Sequence, residues 1–199
     1  MVLSVIILVL CLIGFASIHS LMASLRFKRL AMQVLGSKGE VLYMPLFSLV
    51  AILTISPLPY LFYKNPGEIL YIVPSPWRWV MVIGQLIAGI ITLRAFTDAP
   101  QRFKIRAQLS APNTTEAGSL NIRGIYRWVR DPFTFSTLII MLLTPFMTTN
   151  LLIIYIVTTI YLYFGSRHWE TRLVAQFGDE YKEYQKHVHR IIPTLRGYQ

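Results

Sequence analysis

The sequence predicts an all-α integral membrane protein with about five transmembrane helices, a C-terminal helical hairpin and a cytoplasmic amphipathic helix. Hydrophobic residues make up 54% of the 199-residue chain and charged residues only 14%, against about 25% charged residues in soluble domains. The mean hydropathy of +0.52 agrees, and several uncharged runs are long enough to cross about 30 Å of hydrocarbon. A chain of this length is expected to form a single domain, residues 1–199.

Three runs with few or no charges predict the first three spans: residues 2–23, 41–63 and 77–96. Prolines within the second run are expected to kink its helix, which a membrane helix tolerates when neighbouring groups satisfy the backbone. Trp77 and Trp79 are expected to anchor the third span at the membrane interface.

The run from Pro132 to Ser166 carries no charge and is too long for one span. Thr148-Thr149-Asn150 divides it, which predicts a hairpin of two helices over residues 132–147 and 151–167. At 1.5 Å per residue each helix is about 22–26 Å long, short for a full crossing. The second helix is expected to continue as the cytoplasmic helix, over about residues 168–187.

Lysine and arginine concentrate in three alternate loops, which predicts that the N-terminus lies outside and the C-terminus in the cytoplasm. In a bacterium this membrane would be the inner or plasma membrane. The loops after the first and third spans hold Arg26, Lys28, Arg29, Lys38, Arg102, Lys104, Arg106, Arg123, Arg127 and Arg130. The C-terminal segment adds Arg167, Arg172, Lys182, Lys186, Arg190 and Arg196.

Topology therefore accounts for most of the net charge of +10, and no nucleic-acid partner is predicted.

The only cysteine, Cys11, excludes a disulfide framework and a cysteine-type zinc site. The sequence has no P-loop and no Gly-x-Gly-x-x-Gly motif, so a soluble nucleotide site is unsupported and no metal site is predicted. Nothing in the sequence indicates the oligomeric state.

The first segment with candidate chemistry is Arg123–Pro132, which is basic and aromatic and leads into the hairpin. Pro132 at an early helical position leaves backbone donors nearby that suit a carboxylate or a phosphate. The alternative is a basic membrane flank with Tyr126 and Trp128 at the headgroup level.

The second candidate segment comes after the hairpin and carries one apolar stripe at helical spacing. The stripe consists of Trp169, Leu173, Phe177, Tyr181, Tyr184 and Val188. Glu170 lies beside the stripe and next to His168, and a polar pocket results if Glu170 faces Arg130 across the hairpin. The alternative is a surface helix with exposed charges.

His19 lies near the predicted cytoplasmic end of the first span, within an Ile-His-Ser-Leu-Met-Ala stretch. An imidazole at that depth serves either as a haem ligand or as a hydrogen-bonding group between helices.

At the two candidate segments the chain resembles the membrane methyltransferase superfamily that includes isoprenylcysteine carboxyl methyltransferase. That pattern reads Gly-x-Tyr-x-x-x-Arg-His-Pro before a hairpin, then Glu-Glu-x-x-Leu-x-x-x-Phe-Gly-x-x-Tyr-x-x-Tyr and a closing proline. The chain supplies Gly124, Tyr126, Arg130, Pro132, Glu170, Leu173, Phe177, Gly178, Tyr181, Tyr184 and Pro193. Two further stretches, from His19 to Arg29 and from Thr144 to Thr148, look like the methanethiol S-methyltransferase branch.

Two residues depart from the family pattern. Asp131 replaces the family histidine, and Trp169 replaces the first glutamate. Because both regions line the S-adenosylmethionine pocket in the family, the departures imply either a divergent substrate or a non-catalytic member of the fold.

The early His-Ser element is also similar to that of the related NnrU and zeta-carotene isomerase proteins. The isomerase uses haem, so this resemblance implies a haem-binding alternative with His19 as the ligand. Asp131 argues against it, because the histidine that would be an obvious partner is absent.

The resemblance as a whole implies an S-adenosylmethionine-dependent methyltransferase with Arg130 and Glu170 as catalytic residues. The residues expected to bind the cofactor are Tyr126, Arg130, Asp131, Pro132, His168, Glu170, Tyr181 and Tyr184. The acceptor would approach from the bilayer as a small thiol, a prenylcysteine carboxylate or a lipid-like molecule.

Overall fold

The computed structural model describes residues 2–99, 109, 120 and 122–198. Its α-helices in these ranges are α1 (Val2–Ala23), α2 (Leu25–Leu35), α3 (Gly39–Ile55), α4 (Pro57–Lys64), α5 (Trp77–Asp98), α6 (Pro132–Leu142), α7 (Thr149–Phe177) and α8 (Asp179–His187). Two short strands, β1 (Ile69–Ile72) and β2 (Phe146–Thr148), pair as one small sheet. Single 3₁₀ turns cover Gly36–Lys38 and Gly124–Arg127.

The prediction of an all-α membrane fold is confirmed. Four helical stretches are long and apolar enough to cross a membrane by length and composition: Leu3–Ala23, Leu25–Lys64, Trp77–Asp98 and Thr149–Phe177. The predicted span over residues 132–147 is a shorter apolar helix, because α6 ends at Leu142. Its 11 residues rise about 16 Å, roughly half of the hydrocarbon thickness.

The predicted second span, residues 41–63, is divided in the structure. Helix α3 ends at Ile55, and α4 begins at Pro57. A proline is well suited to the first turn of a helix but lacks the N–H that would continue the preceding one. Proline therefore acts here as a boundary between two helices as well as a kink.

The predicted break at Thr148-Thr149-Asn150 lies where β2 ends and α7 begins. The sheet itself was not expected from the sequence. The N–H of Thr149 donates to the carbonyl of Glu68 (2.9 Å), and the Asn150 side chain donates to the carbonyl of Asn65 (2.7 Å). These bonds satisfy backbone groups where the chain enters a long helix.

The predicted cytoplasmic helix over residues 168–187 is also divided. Helix α7 continues without interruption from Thr149 to Phe177, and Gly178 then adopts a φ of +59° before α8 begins. A left-handed residue at a helix end is a common helix stop, and glycine adopts it without strain. The single predicted helix is therefore the end of α7 followed by α8.

The chain divides into two compact units. The described part of the first comprises residues 2–71, 109 and 147–161, and α1 packs there against α2, α3 and α4. The described part of the second comprises residues 72–99, 120, 122–146 and 162–198, and α5 packs there against α6 and the 3₁₀ turn. Of the basic residues used to predict orientation, Arg102, Lys104 and Arg106 lie outside the described residues, and the orientation stays a prediction.

Candidate functional site

The 3₁₀ turn at Gly124–Arg127 is held by a carboxylate from the end of α5. The Asp98 carboxylate accepts a hydrogen bond from the Ile125 N–H (2.9 Å). Its Oδ1 atom also forms an ion pair with Arg94 Nε (3.2 Å). Gly124 has a φ of +53°, and a Cβ at this position would overlap the Asp98 carboxylate. The structure therefore explains why a glycine stands at this position of the family pattern. Sequence reasoning missed Asp98, although a carboxylate at the end of an apolar helix was a usable signal.

Tyr126, the tyrosine of the same motif, is buried in a small core with Ala95 and Ala99. Its hydroxyl donates to the carbonyl of Ala95 (3.3 Å), and its own carbonyl accepts a hydrogen bond from the hydroxyl of Tyr184. Tyr126 therefore connects α5, the 3₁₀ turn and α8 within the second unit.

The segment after the turn is joined to the C-terminal segment by backbone hydrogen bonds. The bonds run from Arg130 to His189 (3.0 Å), Asp131 to Arg190 (2.9 Å), Thr194 to Trp128 (2.8 Å) and Tyr198 to Arg127 (2.9 Å), each from N–H to carbonyl. The two motif regions are thus aligned by main-chain contacts that do not depend on side-chain identity.

Arg130 and Glu170 meet in the structure as a largely buried ion pair. Arg130 Nε lies 2.6 Å from Glu170 Oε1, and the two side chains are only 10% and 14% exposed. The Tyr181 hydroxyl donates to the same carboxylate oxygen (3.4 Å). Arg130 Nη1 also donates to the carbonyls of Gln185 (2.9 Å) and Val188. Arg130 therefore fastens the end of α8 to Glu170 of α7.

Asp131 and Pro132 begin helix α6. The Asp131 carboxylate caps the helix by accepting from the Thr134 N–H (3.0 Å) and from the Thr134 hydroxyl (2.8 Å). This is a preferred role for aspartate at a helix start, and Pro132 comes next as the first helical residue. One of the backbone donors predicted for a ligand is thus already occupied by Asp131.

The predicted apolar stripe is confirmed as a core of the second unit. Leu173, Tyr181, Tyr184 and Val188 are buried together, and Trp169 and Phe177 pack against them. The Arg172 guanidinium lies over the Trp169 ring in a cation–π contact, with Cζ 5.1 Å from the ring centroid. Tyr181 and Tyr184 therefore contribute packing as well as hydrogen bonds.

The structure does not bring His168 into this group, because its side chain is exposed on α7. His19 belongs to the first unit, where the rings of Phe15, Phe47 and Tyr161 surround it at centroid distances of 5.3, 4.8 and 6.4 Å. Its Nδ1 atom is buried and has no hydrogen-bond partner among the described residues.

A cavity of about 550 Å³ lies beside the motif residues in the second unit. It is lined by Leu120, Ile122, Arg123, Gly124, Arg127, Glu180 and Tyr198. The volume lies in the range of small-molecule sites, and the lining combines two guanidinium groups, one carboxylate and apolar surface. Sequence reasoning had placed Arg123 and Arg127 in the first candidate segment and among the topology signals without selecting them as binding residues, and it did not select Glu180 or Tyr198.

Comparison with known proteins places these observations in a family. The family model described as NnrU protein matches residues 7–143, which is more than half of the chain. Several similar relatives are methanethiol S-methyltransferases, which confirms the resemblance to the membrane methyltransferase superfamily. No solved structure was found to match the chain.

The similarity to the relatives is moderate. The Pseudomonas deceptionensis methanethiol S-methyltransferase is 32% identical over 111 residues, which cover 54% of this chain and 42% of that protein. Methanethiol S-methyltransferase 1 of Bradyrhizobium diazoefficiens is 28% identical over 203 residues, covering 98% of this chain and 68% of that protein. The enzyme of Pseudomonas sp. is 28% identical over 184 residues, covering 90% and 69%. The chain thus spans less than half of the first of these relatives and about two thirds of the other two.

Proposed function

We propose that this chain, which belongs to the NnrU protein family, is a membrane methyltransferase that uses S-adenosylmethionine to methylate a small thiol. Membrane methyl transfer is supported by relatives that bear the name methanethiol S-methyltransferase. The structural support is the meeting of the two motif segments: Arg130 pairs with Glu170, and the same region holds a ligand-sized cavity.

The residues that line the cavity suit the polar and apolar parts of the cofactor. Arg123 and Arg127 complement a carboxylate, and Glu180 complements an ammonium or sulfonium cation. Leu120, Ile122 and the ring of Tyr198 offer apolar surface for a purine. When bound, S-adenosylmethionine would supply an electrophilic methyl group: the acceptor sulfur would form the new S–C bond, the sulfonium C–S bond would break to release S-adenosylhomocysteine, and the thiol proton would pass to solvent.

Arg130 and Glu170 fit the role of positioning residues in this proposal. The two side chains form an ion pair with each other, and Arg130 also donates hydrogen bonds to two carbonyls at the end of α8. These bonds fix the end of α8, the helix that carries Glu180, and methyl transfer depends strongly on the positioning of its reactants. Asp131 and Pro132 set the start of α6, while Tyr126, Tyr181 and Tyr184 form the packed wall of the same region.

A small thiol is the acceptor that the relatives favour, and the charge of the cavity agrees with it. The thiolate is the reactive form of a thiol, and nearby guanidinium groups favour it over the neutral form. The lining has two arginines against one carboxylate, and S-adenosylmethionine itself carries a net positive charge, so a positive potential remains when the cofactor carboxylate is bound. The apolar helices provide a bilayer-facing surface by which a hydrophobic acceptor would arrive, and the cavity would open to the cytoplasm under the predicted orientation.

Calorimetry of S-adenosylmethionine binding to the detergent-purified chain tests the cofactor site. We expect Arg123→Gln to weaken binding about tenfold or more, because a charge-assisted hydrogen bond contributes roughly 1.5–3 kcal/mol. Arg196→Gln removes an exposed arginine of the same unit and should leave the affinity unchanged. Absence of binding by the folded wild-type protein, or equal affinity of the two variants, would overturn the assignment.

Gas chromatography of the headspace over a mixture with methanethiol tests the acceptor. We expect dimethyl sulfide to form only when both S-adenosylmethionine and the chain are present. Cofactor binding without this product would contradict the thiol acceptor while leaving the cofactor site intact.

A second candidate function, haem binding, is favoured by one specific observation. His19 has a buried Nδ1 without a partner among the described residues, and it is surrounded by aromatic rings. The matched family region includes this histidine. Haem-supplemented wild-type protein would then show a Soret band that His19→Ala lacks, and absence of the band from folded wild-type protein would reject this candidate.

A further inference from the structure

Two arginines from different chain segments converge on one tyrosine of α7. Arg167 Nη1 donates to the Tyr163 hydroxyl (3.3 Å), and its Cζ lies 6.0 Å from the ring centroid. Arg190, which comes after α8, places its Cζ 5.0 Å from the same centroid. All three residues belong to the second unit.

The charge of this cluster is unbalanced within the part of the chain that the structure describes. There, Arg94, Arg130, Lys182 and Lys186 each pair with a carboxylate, whereas neither Arg167 nor Arg190 does. Two cations held against one neutral ring repel each other. An anion placed between them removes that repulsion and accepts hydrogen bonds from both guanidinium groups.

The position of the cluster along the chain indicates which anion is available. Arg167 is the first charged residue after the long uncharged run that starts at Pro132. Phe164, on the preceding turn of α7 and in the same unit, is 65% exposed, as expected of a side chain that faces acyl chains. Tyr163 is 42% exposed, and tyrosine is enriched where the hydrocarbon meets the headgroups.

We propose that Tyr163, Arg167 and Arg190 form a binding site for the phosphate of an anionic phospholipid. The guanidinium groups bind the phosphate oxygens, while Phe164 lies beside the acyl chains. Basic pockets next to membrane helices are suited to such headgroups. The Arg190 carbonyl also accepts from the N–H of Asp131 (2.9 Å), so a bound lipid steadies the segment that starts α6.

Titration of the full-length, detergent-purified chain with phospholipid in mixed micelles tests this site. One titration adds phosphatidylglycerol, and the other adds phosphatidylcholine. We expect Arg190→Gln to lose about tenfold in affinity for phosphatidylglycerol, which corresponds to one charge-assisted contact of about 1.4 kcal/mol. Arg167→Gln should lose a similar factor.

Arg196→Gln is the matched control, because it removes one exposed arginine from the same C-terminal segment. General attraction to an anionic surface is worth about 1 kcal/mol per basic residue close to it, so its loss should stay below about fivefold. Tyr163→Phe keeps the ring and removes only the hydroxyl, and it should lose less than Arg190→Gln. Equal losses in Arg190→Gln and Arg196→Gln would overturn the site.

Inorganic phosphate distinguishes the lipid from a free anion. We expect millimolar phosphate at constant ionic strength to leave phosphatidylglycerol binding unchanged, because the acyl chains contribute to the affinity of the lipid. Full competition by phosphate would overturn the assignment to a lipid. Circular dichroism of each variant confirms that a loss of binding does not come from unfolding.

Discussion

The motif region of the second unit and the surroundings of His19 in the first unit differ in the hydrogen bonding of their buried polar groups. Arg130 is bonded to Glu170 and to the carbonyls at the end of α8, and the Tyr181 hydroxyl bonds to the same carboxylate. Around His19, a buried ring nitrogen has no partner among the described residues. A satisfied network fixes structure, whereas an unsatisfied buried group lowers stability until something binds it.

Removing one half of the Arg130–Glu170 pair should produce the largest effect on stability. Glu170→Ala leaves a guanidinium with little exposure to water and no carboxylate, and breaking such a pair costs about 3–5 kcal/mol. Chemical denaturation in mixed micelles, monitored by circular dichroism, measures this loss. Asp179→Ala removes the exposed partner of Lys182 and should leave the free energy of unfolding unchanged.

Replacing both partners sharpens the comparison. Arg130→Met with Glu170→Leu removes the unpaired charge and should restore part of the stability that Glu170→Ala loses. Recovery should be incomplete, because the carbonyls of Gln185 and Val188 then lack their donor. Equal stability of Glu170→Ala and Asp179→Ala would show that the buried Arg130–Glu170 pair stabilises the fold no more than the exposed Lys182–Asp179 pair does.

Gly124→Ala should give the next largest effect. Its methyl group would overlap the Asp98 carboxylate, and the φ of +53° is unfavourable for alanine, so we expect a loss of about 2–3 kcal/mol in the same assay. Gly178→Ala is a matched control, since its φ is +59° and nothing lies within 4 Å of the added Cβ. It should lose only about 1–2 kcal/mol. A smaller loss at Gly124 than at Gly178 would contradict the close approach of Asp98.

The first unit should respond differently, because its histidine lacks a partner among the described residues. His19→Phe removes an unsatisfied nitrogen and keeps an aromatic ring, so stability without ligand should change by less than about 1 kcal/mol. Tyr43→Phe, in the same unit, removes a hydroxyl that donates to the carbonyl of Met22 and should lose about 1 kcal/mol. If His19→Phe instead loses several kcal/mol, the histidine already has a stabilising partner.

The hydrophobic pattern of the sequence was sufficient to predict the long helices and one core. The uncharged runs predicted the helices, and the stripe from Trp169 to Val188 predicted the core of the second unit even though Gly178 divides its helix. The approach of Glu170 to Arg130 across the hairpin was one of two alternatives that the sequence left open, the other being a surface helix with exposed charges.

The missed features depend on contacts between residues that are distant in the chain. Its place at the end of an apolar helix singles out Asp98, but nothing local shows that it will hold a turn that begins at Gly124. Likewise, the cavity joins Glu180 and Tyr198 to Arg123 only because backbone bonds align the C-terminal segment with residues 127–131. The strand β2 is three residues long and has too little pattern to be detected.

The smallest expected effect concerns the exposed ion pairs of α8 and contrasts with the buried pair. A hydrogen bond from Lys182 lowers the pKa of Asp179, and one from Lys186 lowers the pKa of Glu183. Carboxyl groups with a depressed pKa stabilise the folded state above their unfolded pKa of about 4 and lose that contribution as the pH falls through the folded value.

We therefore expect the pairs to make the same small contribution to the thermal midpoint at every pH above about 5, and this contribution to be lost as the pH falls below about 4. Lys182→Gln with Lys186→Gln should remove that part of the acid dependence and leave the midpoint at neutral pH nearly unchanged, because water screens both pairs. Differential scanning fluorimetry of the two proteins across this pH range measures the difference. A large loss in the double variant at pH 7 would mean that α8 depends on its surface pairs as strongly as on Arg130, and the contrast between exposed and buried pairs would fail.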